Sequence, residues 1–216
     1  MKYLLTLLFP MMIAGSVQLK AENNPDKFNY IVDRMADIQI LRFKVPGFES
    51  LPLKQKELIY YLNEAALEGR DILYDQNHSN NLTIRRTLEA IYLDYKGDRN
   101  TEDFNNFTTY LKQVWMGNGI HHHYAEEKFI PHFSSNFFEN AVNSLKDNKL
   151  PLLKNETKQA FIKRISPVIF DPNLYPKKTN QEAGADLILT SSNNYYEGVN
   201  QKEVEDFYAA MIDPND

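Results

Sequence analysis

The sequence contains no cysteine. This absence excludes disulfide bonds, thiolate ligands for a metal ion and a cysteine nucleophile. Structural zinc sites that depend on cysteine are excluded for the same reason. The fold must therefore be held by a packed core, and 216 residues with 43% apolar side chains are enough to form one.

Clusters of positive charge are also lacking. The formal net charge is −5, and the basic pairs Arg85–Arg86 and Lys177–Lys178 stand alone. Because binding to phosphate backbones depends on clustered Lys and Arg, we expect no nucleic-acid partner. The sequence also has no G-x-S-x-G motif and no glycine-rich phosphate loop, which argues against a serine hydrolase and a P-loop nucleotide-binding protein.

No apolar run reaches the ~20 residues that a membrane-spanning helix needs. The amino-terminal residues are typical of a secretory signal peptide: Lys2 supplies the positive charge, an apolar stretch interrupted by Pro10 follows, and Ala21 is a small residue suited to cleavage. We predict a signal peptide over residues 1–21 and an exported protein, periplasmic or secreted, with no membrane association after cleavage. An uncleaved membrane anchor is the alternative. Cleavage removes two lysines and changes the formal net charge from −5 to −7.

Apolar residues recur at three- and four-residue steps from residue 22 onward, so we expect a mainly α-helical chain. The clearest helix covers residues 103–115, with Thr101 as its N-terminal cap. Its inward face is expected to consist of Phe104, Phe107, Leu111, Val114 and Trp115.

Five further helices are predicted. Four of them cover residues 53–74, 81–95, 135–145 and 156–165, and the fourth of these is expected to open at Asn155 and to stop near Pro167. The last begins with a capping-box pattern, Asn200 followed by Glu203, and is expected to direct Val204, Phe207 and Tyr208 inward.

Three of the five histidines are consecutive, at His121, His122 and His123. On a helix their side chains would fan about 100° apart, and on a strand only the first and third would share a face, so the three neighbours cannot form a metal site by themselves. His121 and His123 could do so only with Glu126, Glu127 or His132. We therefore expect no metal site, and a loop whose imidazoles make structural or substrate hydrogen bonds.

The sequence Gly117-Asn118-Gly119 directly follows the clearest helix. Glycine and asparagine adopt left-handed backbone angles more readily than other residues, so the pattern predicts that the helix stops and the chain turns sharply. A loop anchored by a rigid helix is a common place for binding, although an ordinary surface turn is an equally good interpretation of the spacing.

Four stretches, taken together and in this order, resemble the amino-terminal part of the dipeptidyl-peptidase III family in its bacterial exported branch. They are "FNYIVDRMADIQILRFKVPGFESLPLKQKELIYYLNEAALEGRDILYDQ", "NLTIRRTLEAIY", "VWMGNGIHHHYAEEKFIPHF" and "NNYYEGVNQKEVEDFYAAM". The resemblance extends over most of residues 28–212.

The resemblance implies a zinc metallopeptidase that removes dipeptides from the amino end of short peptides. In that family, two histidines of an H-E-x-x-G-H motif and a glutamate of a later E-E-x-x-A-E-type helix hold the zinc, and the glutamate of the first motif is the general base. Neither motif occurs in these 216 residues. The expectation is therefore that zinc belongs to a longer parent protein, and that this chain alone binds no zinc and is inactive.

The resemblance also implies a place in the fold. Residues 22–216 are expected to be the helical amino-terminal part of the non-catalytic lobe of a two-lobed α+β metallopeptidase, with exposed apolar surface and partial disorder near residues 171–200. The loop of residues 117–129 would form one wall of the substrate cleft. By the resemblance, Tyr124 would contact the substrate peptide, with His123 and Asn118 behind it.

Two alternatives remain open from the sequence. One is a stand-alone, exported helical binding module. The other is a His-rich, metal-binding protein that uses the residues His121 to His123.

Overall fold

The computed structural model describes residues 28–212. The chain is mainly helical, with 51% helix and 7% strand, so the expected mainly α class is confirmed. The predicted signal peptide, residues 1–21, lies outside the described residues. Among the helices that are described, none has the length and apolar character needed to span a membrane.

The order of elements begins with two strands and continues with seven α-helices. The strands are β1 (Ile31–Met35) and β2 (Ile38–Leu41). The helices are α1 (Leu53–Glu68), α2 (Arg70–Asn77), α3 (Asn81–Asp94), α4 (Glu102–Gly117), α5 (Ser135–Ser144), α6 (Lys158–Phe170) and α7 (Gln201–Met211).

The β1–β2 hairpin is not among the predicted elements. The two strands are antiparallel, Met35 pairs with Ile38, and Ala36 takes a left-handed φ of 47° in the two-residue turn between them. Met35 and Ile38 are buried against the helices, and Lys112 of α4 donates a hydrogen bond to Asp33 at 2.7 Å. The sequence pattern does not indicate these strands clearly, because they are short and their register shifts near Ile31.

Two predicted helix boundaries are wrong. The helix expected over residues 53–74 is broken at Gly69, which separates α1 from α2. The helix expected to open at Asn155 and stop near Pro167 starts later, capped by the Thr157 hydroxyl, and continues through Pro167 to Phe170. Its last turn buries Val168 and Ile169, and this packing outweighs the hydrogen bond that proline cannot donate.

The helix predicted over residues 103–115 is confirmed as α4. Thr101 accepts a hydrogen bond from the backbone N–H of Phe104, as a cap should. Four of the five expected inward residues are buried, but Trp115 is 38% exposed and donates its indole N–H to Glu89. Its expected inward position is therefore wrong, because α3 offers a polar partner at the edge of the helix pair.

The capping box of the last helix is confirmed, but its inward face is not. Asn200 and Glu203 exchange both hydrogen bonds of the box. Phe207 and Tyr208 are nevertheless exposed, and α7 contains no buried residue. The sequence pattern correctly predicts the helix, but its apolar side is only partly covered: Val204 is half-buried, and Tyr195 and Tyr196 line a cavity together with it.

The core lies where α3, α4, α5 and α6 meet, and aromatic side chains fill much of it. Phe107 is fully buried, and its ring packs against those of Phe104, Phe133 and Phe137 at centroid distances of 5.6 to 5.7 Å. Asp103 at the start of α4 accepts hydrogen bonds from both the N–H and the hydroxyl of Ser134, which caps α5. The start of α5 is thereby fixed to the start of α4.

We expect Phe107→Ala to lower the free energy of unfolding by about 3–5 kcal/mol, because it removes a fully buried ring and leaves a cavity among three other aromatic rings. Urea unfolding followed by the fluorescence of the single tryptophan measures this change. The control is Leu93→Ala on α3, whose side chain is 70% exposed and should change stability by less than about 0.5 kcal/mol. Equal effects of the two substitutions would contradict the assigned core.

Candidate functional site

The loop of residues 117–129 begins with the turn that the sequence predicts. Asn118 caps α4 in the left-handed conformation, with φ 50° and ψ 43°. Gly119 follows with φ 143°, and its N–H donates to the carbonyl of Val114 at 3.0 Å. The end of α4 is thereby closed, and the chain reverses direction.

The base of the loop is held by two asparagines that sequence reasoning did not assign to the site. Asn81, at the start of α3, is fully buried; its side-chain oxygen accepts from the N–H of Ile120, and its amide donates to the carbonyl of Tyr74. Asn77, at the end of α2, donates to the carbonyl of Asn118 at 3.1 Å. Both asparagines lie at helix ends, where asparagine is typical of a cap. The sequence pattern therefore does not indicate that they bind residues about 40 positions away.

The rest of the loop folds back on itself as a tight hairpin. The N–H of Phe129 donates to the carbonyl of Ile120 at 2.8 Å, and the N–H of His122 donates to the carbonyl of Glu127 at 2.7 Å. Glu126 takes a left-handed φ of 62° near the tip. Residues 120–129 therefore form a short, well-bonded projection from the end of α4.

The three consecutive histidines lie in three different environments. His121 is buried and donates from Nε2 to the carbonyl of Tyr175 at 2.9 Å. His122 accepts at Nδ1 from the backbone N–H groups of Tyr124 and Ala125, and its Nε2 lies 3.6 Å from the carboxylate of Asp37. His123 is exposed at the tip. The ring of His122 thus stabilises the hairpin from within, whereas the ring of His121 joins the hairpin to Tyr175.

The described part of the chain contains no group of three His, Asp or Glu side chains that could hold a metal ion. The partners considered for His121 and His123 were Glu126, Glu127 and His132. His121 points inward to a backbone carbonyl, whereas His123 lies at the exposed tip, so the two do not converge. These residues therefore supply no complete ligand set for the His-rich alternative.

Tyr124 projects from the tip of the hairpin and is 85% exposed. Its ring lies 4.3 Å, centroid to centroid, from that of His123, which in turn stacks on His122 at 4.6 Å. The structure thus brings Tyr124 and His123 together as a small aromatic surface. Asn118 lies at the base of the loop, where its backbone carbonyl is bound by Asn77.

A cavity of about 360 Å³ lies beside this aromatic surface. Asp37 from the β1–β2 turn, Gln113 from α4, and His122 and Glu127 from the loop are among the residues that line it. The carboxylates of Asp37 and Glu127 can accept hydrogen bonds from an ammonium group or from peptide N–H groups. Asp37 and Gln113 were not predicted as site residues, because only the tertiary fold brings the hairpin and α4 next to the loop.

Beneath the loop lies a set of buried basic side chains that we call the basic cluster: His78, His121 and Lys128. Burial lowers the pKa of His78 to about 4 and that of His121 to about 4. Burial also lowers the pKa of Lys128 to about 8. At neutral pH the cluster therefore holds two neutral imidazoles beside one ammonium group.

No protein-family model and no curated protein matches this chain. The resemblance to dipeptidyl-peptidase III therefore stays a prediction.

We expect Gly119→Ala to destabilise the loop strongly. A Cβ at this position would lie 2.0 Å from the Asn81 side-chain nitrogen, and Asn81 cannot move without breaking its two buried hydrogen bonds. Overpacking costs about 1–3 kcal/mol, and the left-handed backbone adds about 1–2 kcal/mol. The sum should appear in thermal unfolding and as faster amide exchange over residues 117–129.

The matched control is Gly184→Ala, at a glycine that also has a positive φ, 84°, but has no atom within 4 Å of the added Cβ. It should show only the backbone cost of about 1–2 kcal/mol. If both substitutions destabilise the protein equally, the contact between Gly119 and Asn81 does not hold the loop.

Proposed function

We propose that this chain is part of the non-catalytic lobe of a zinc-dependent dipeptidyl-peptidase of the dipeptidyl-peptidase III family, and that residues 117–129 form one wall of its peptide-binding cleft. The observation that carries the proposal is the exposed Tyr124 ring on a hairpin whose base is fixed by buried hydrogen bonds. Its substrates would be short peptides.

The first support comes from helices that expose apolar side chains. No residue of α1 is buried, although the helix carries Leu58, Ile59 and Leu62, which are all more than 40% exposed. These residues fall on one side of α1 at helical spacing. Apolar surface of this kind is normally covered by other polypeptide, which is what a lobe of a larger protein requires.

The second support is the chemistry of the loop and the cavity beside it. Aromatic rings such as Tyr124 and His123 bind apolar side chains and peptide planes without losing much side-chain freedom. Asp37 and Glu127 contribute two carboxylates to the cavity lining, to which the free amino end of a peptide can bind; the lining also includes Lys128, whose ammonium group is bound to the carbonyls of Asp171 and Leu174. A rigid hairpin loses little conformational entropy on binding, so it is suited to orient a flexible peptide.

The proposal assigns no catalytic step to this chain. Zinc would supply an acidified water and a polarised carbonyl in the parent protein. The described residues do not fit a zinc site, and the sequence lacks the motifs that hold zinc in the family. The contribution of this chain is therefore to bind the peptide and to orient it.

A stand-alone, exported helical binding module is the second candidate. The same apolar face of α1 favours it, because a binding partner could cover this face in place of a second lobe. The two candidates differ in whether a catalytic lobe belongs to the same polypeptide.

The test of the proposed function is the mass and the activity of the native protein. An antibody raised against this chain isolates the protein that the native cell exports, and its intact mass is measured together with dipeptide release from a short peptide. A species much heavier than 25.2 kDa whose dipeptide release is abolished by a chelator is expected. A species slightly lighter than 25.2 kDa with no such activity would contradict the peptidase and favour the binding module.

In the active native protein we expect Tyr124→Ala to raise KM for a short peptide about tenfold with little change in kcat, because it removes a binding contact that substrate and transition state share. Tyr124→Phe should keep a KM near that of the wild type, since the ring remains. The control is Tyr30→Ala. It removes a tyrosine that is 51% exposed and lies far from the loop in the sequence. An unchanged KM for Tyr124→Ala would exclude Tyr124 from the cleft wall.

A further inference from the structure

The segment of residues 171–178 runs alongside the Tyr124 hairpin and is bound to it by backbone hydrogen bonds. The N–H of Lys128 donates to the carbonyl of Pro176 at 3.0 Å, and the N–H of Lys178 donates to the carbonyl of Glu126 at 2.8 Å. This segment contains no helix or strand of its own. The end of the segment is also bound by Ser192 and Asn193, which donate to the carbonyls of Lys177 and Lys178, whereas residues 171–176 are held from the side of the hairpin.

Two side chains of the basic cluster hold the same segment by its carbonyl groups. Lys128 donates from Nζ to the carbonyls of Asp171 and Leu174, and His121 donates from Nε2 to the carbonyl of Tyr175. Tyr175 takes a left-handed φ of 58°, which costs a non-glycine residue about 1–2 kcal/mol. The contacts of Lys128 and His121 thus hold the segment in a strained conformation. Once these contacts break, relief of the strain at Tyr175 favours release of the segment.

His78 completes the junction from the opposite side. Its ring packs edge-on against that of Tyr175 at 4.4 Å and lies 6.2 Å from the ring of His121. Its Nδ1 accepts a hydrogen bond from the N–H of Asn80, so the neutral ring carries its proton on Nε2. Tyr175 therefore contacts two histidines: its ring packs against His78 of the α2–α3 connection, and its carbonyl accepts from His121 of the hairpin.

The geometry requires both imidazoles to be neutral. His121 uses Nε2 as its donor, and its buried Nδ1 has no hydrogen-bond partner among residues 28–212. A proton added at Nδ1 would be an unsatisfied, buried positive charge near the ammonium group of Lys128. A proton added to His78 at Nδ1 would replace its bond from Asn80 by a clash of two donors.

Burial outweighs the one carboxylate that faces His121. His121 faces Lys128, Lys178 and Glu126; the Glu126 carboxylate is paired through Oε1 with Lys178 at 2.9 Å, and its buried Oε2 has no hydrogen-bond partner among residues 28–212. His78 faces His121 and Lys128. Asp171 is the acidic group that faces Lys128 from the segment.

We infer that His78 and His121 form an acid-sensitive latch: as neutral rings they hold residues 171–178 against the Tyr124 hairpin, and protonation releases the segment and loosens the hairpin. The latch itself does not depend on the identity of the substrate. Its consequence for peptide binding, weaker binding in acid because the cleft wall is no longer fixed, rests on the function proposed above.

The direction of the pH dependence of the latch follows from the pKa values of the two histidines. The pKa of each histidine is about 4 when latched and returns toward the ordinary 6.5 when released. The released state therefore binds more protons between these values, so the latch is strongest above pH 6.5 and weakens as the pH falls toward 4. Between pH 7 and pH 5 the opening equilibrium should rise about 20-fold for each histidine that opening exposes.

Hydrogen exchange at pH 7, 6 and 5 tests the latch, with rates corrected for the intrinsic pH dependence of exchange. Protection of the amides of Phe129 and Lys178 should fall by the amounts above, while the amides of α4 around Leu111 keep theirs. Constant protection at the junction would overturn the inference. A parallel loss at Leu111 would overturn it as well, because acid would then unfold the whole core.

The variant that tests the cause is the double substitution His78→Asn and His121→Gln. Asn keeps the acceptor for the Asn80 N–H, Gln keeps a donor toward Tyr175, and neither takes up a proton near neutral pH. The variant should keep its protection at pH 5, whereas the control His123→Gln, at the exposed tip, should open like the wild type. Equal opening of the double variant and the wild type would overturn the inference.

A direct titration keeps the inference testable if the double variant does not fold. The imidazole signals of His78 and His121 in the wild-type protein should titrate below pH 5 by NMR, or shift only as the junction opens. Ordinary titration near pH 6.5 with unchanged protection at the junction would refute the latch. None of these measurements uses peptidase activity, so failure of the latch and failure of the proposed function can be told apart.

Discussion

The buried amide of Asn81 is the contact on which the arrangement of the site depends. It joins the end of α2, the start of α3 and the first residue after the α4 turn, through one donated and one accepted hydrogen bond. A buried amide that lost either partner would be left unsatisfied, at a cost of about 1–3 kcal/mol. Gly119 is required for the same reason, because only a residue without Cβ lets the chain pass this close to Asn81. The hairpin that carries Tyr124 is thereby placed by the helical core.

The three adjacent histidines show how neighbouring residues of one type acquire different roles. His121 is buried and binds a distant carbonyl, His122 binds the backbone of its own turn, and His123 remains at the surface. The differences follow from the turn at Asn118 and Gly119, which directs successive side chains toward the core, along the hairpin and toward solvent. A run of histidines therefore need not be a metal site, since each ring is directed by the backbone that carries it.

The distribution of apolar side chains divides the chain into two parts. Helices α3 to α6 bury theirs in a common aromatic core, whereas α1 and α7 leave theirs exposed. Local sequence cannot separate these cases, because an amphipathic helix looks the same whether or not something covers it. The pattern of α7 consequently predicts the helix and its capping box correctly, but the expected burial of Phe207 and Tyr208 is wrong.

The sequence by itself determined the local features of this protein: the mainly helical class, the Thr101 cap, the apolar face of α4 and the stop at Gly117-Asn118-Gly119. These depend on contacts within a few residues, where propensity and spacing act directly. Only the tertiary structure decided the short β-hairpin, the continuation of α6 through Pro167, and the burial of His78 beside His121. Those features depend on residues far apart in the chain, and their free energies come from desolvation and packing that no local pattern encodes.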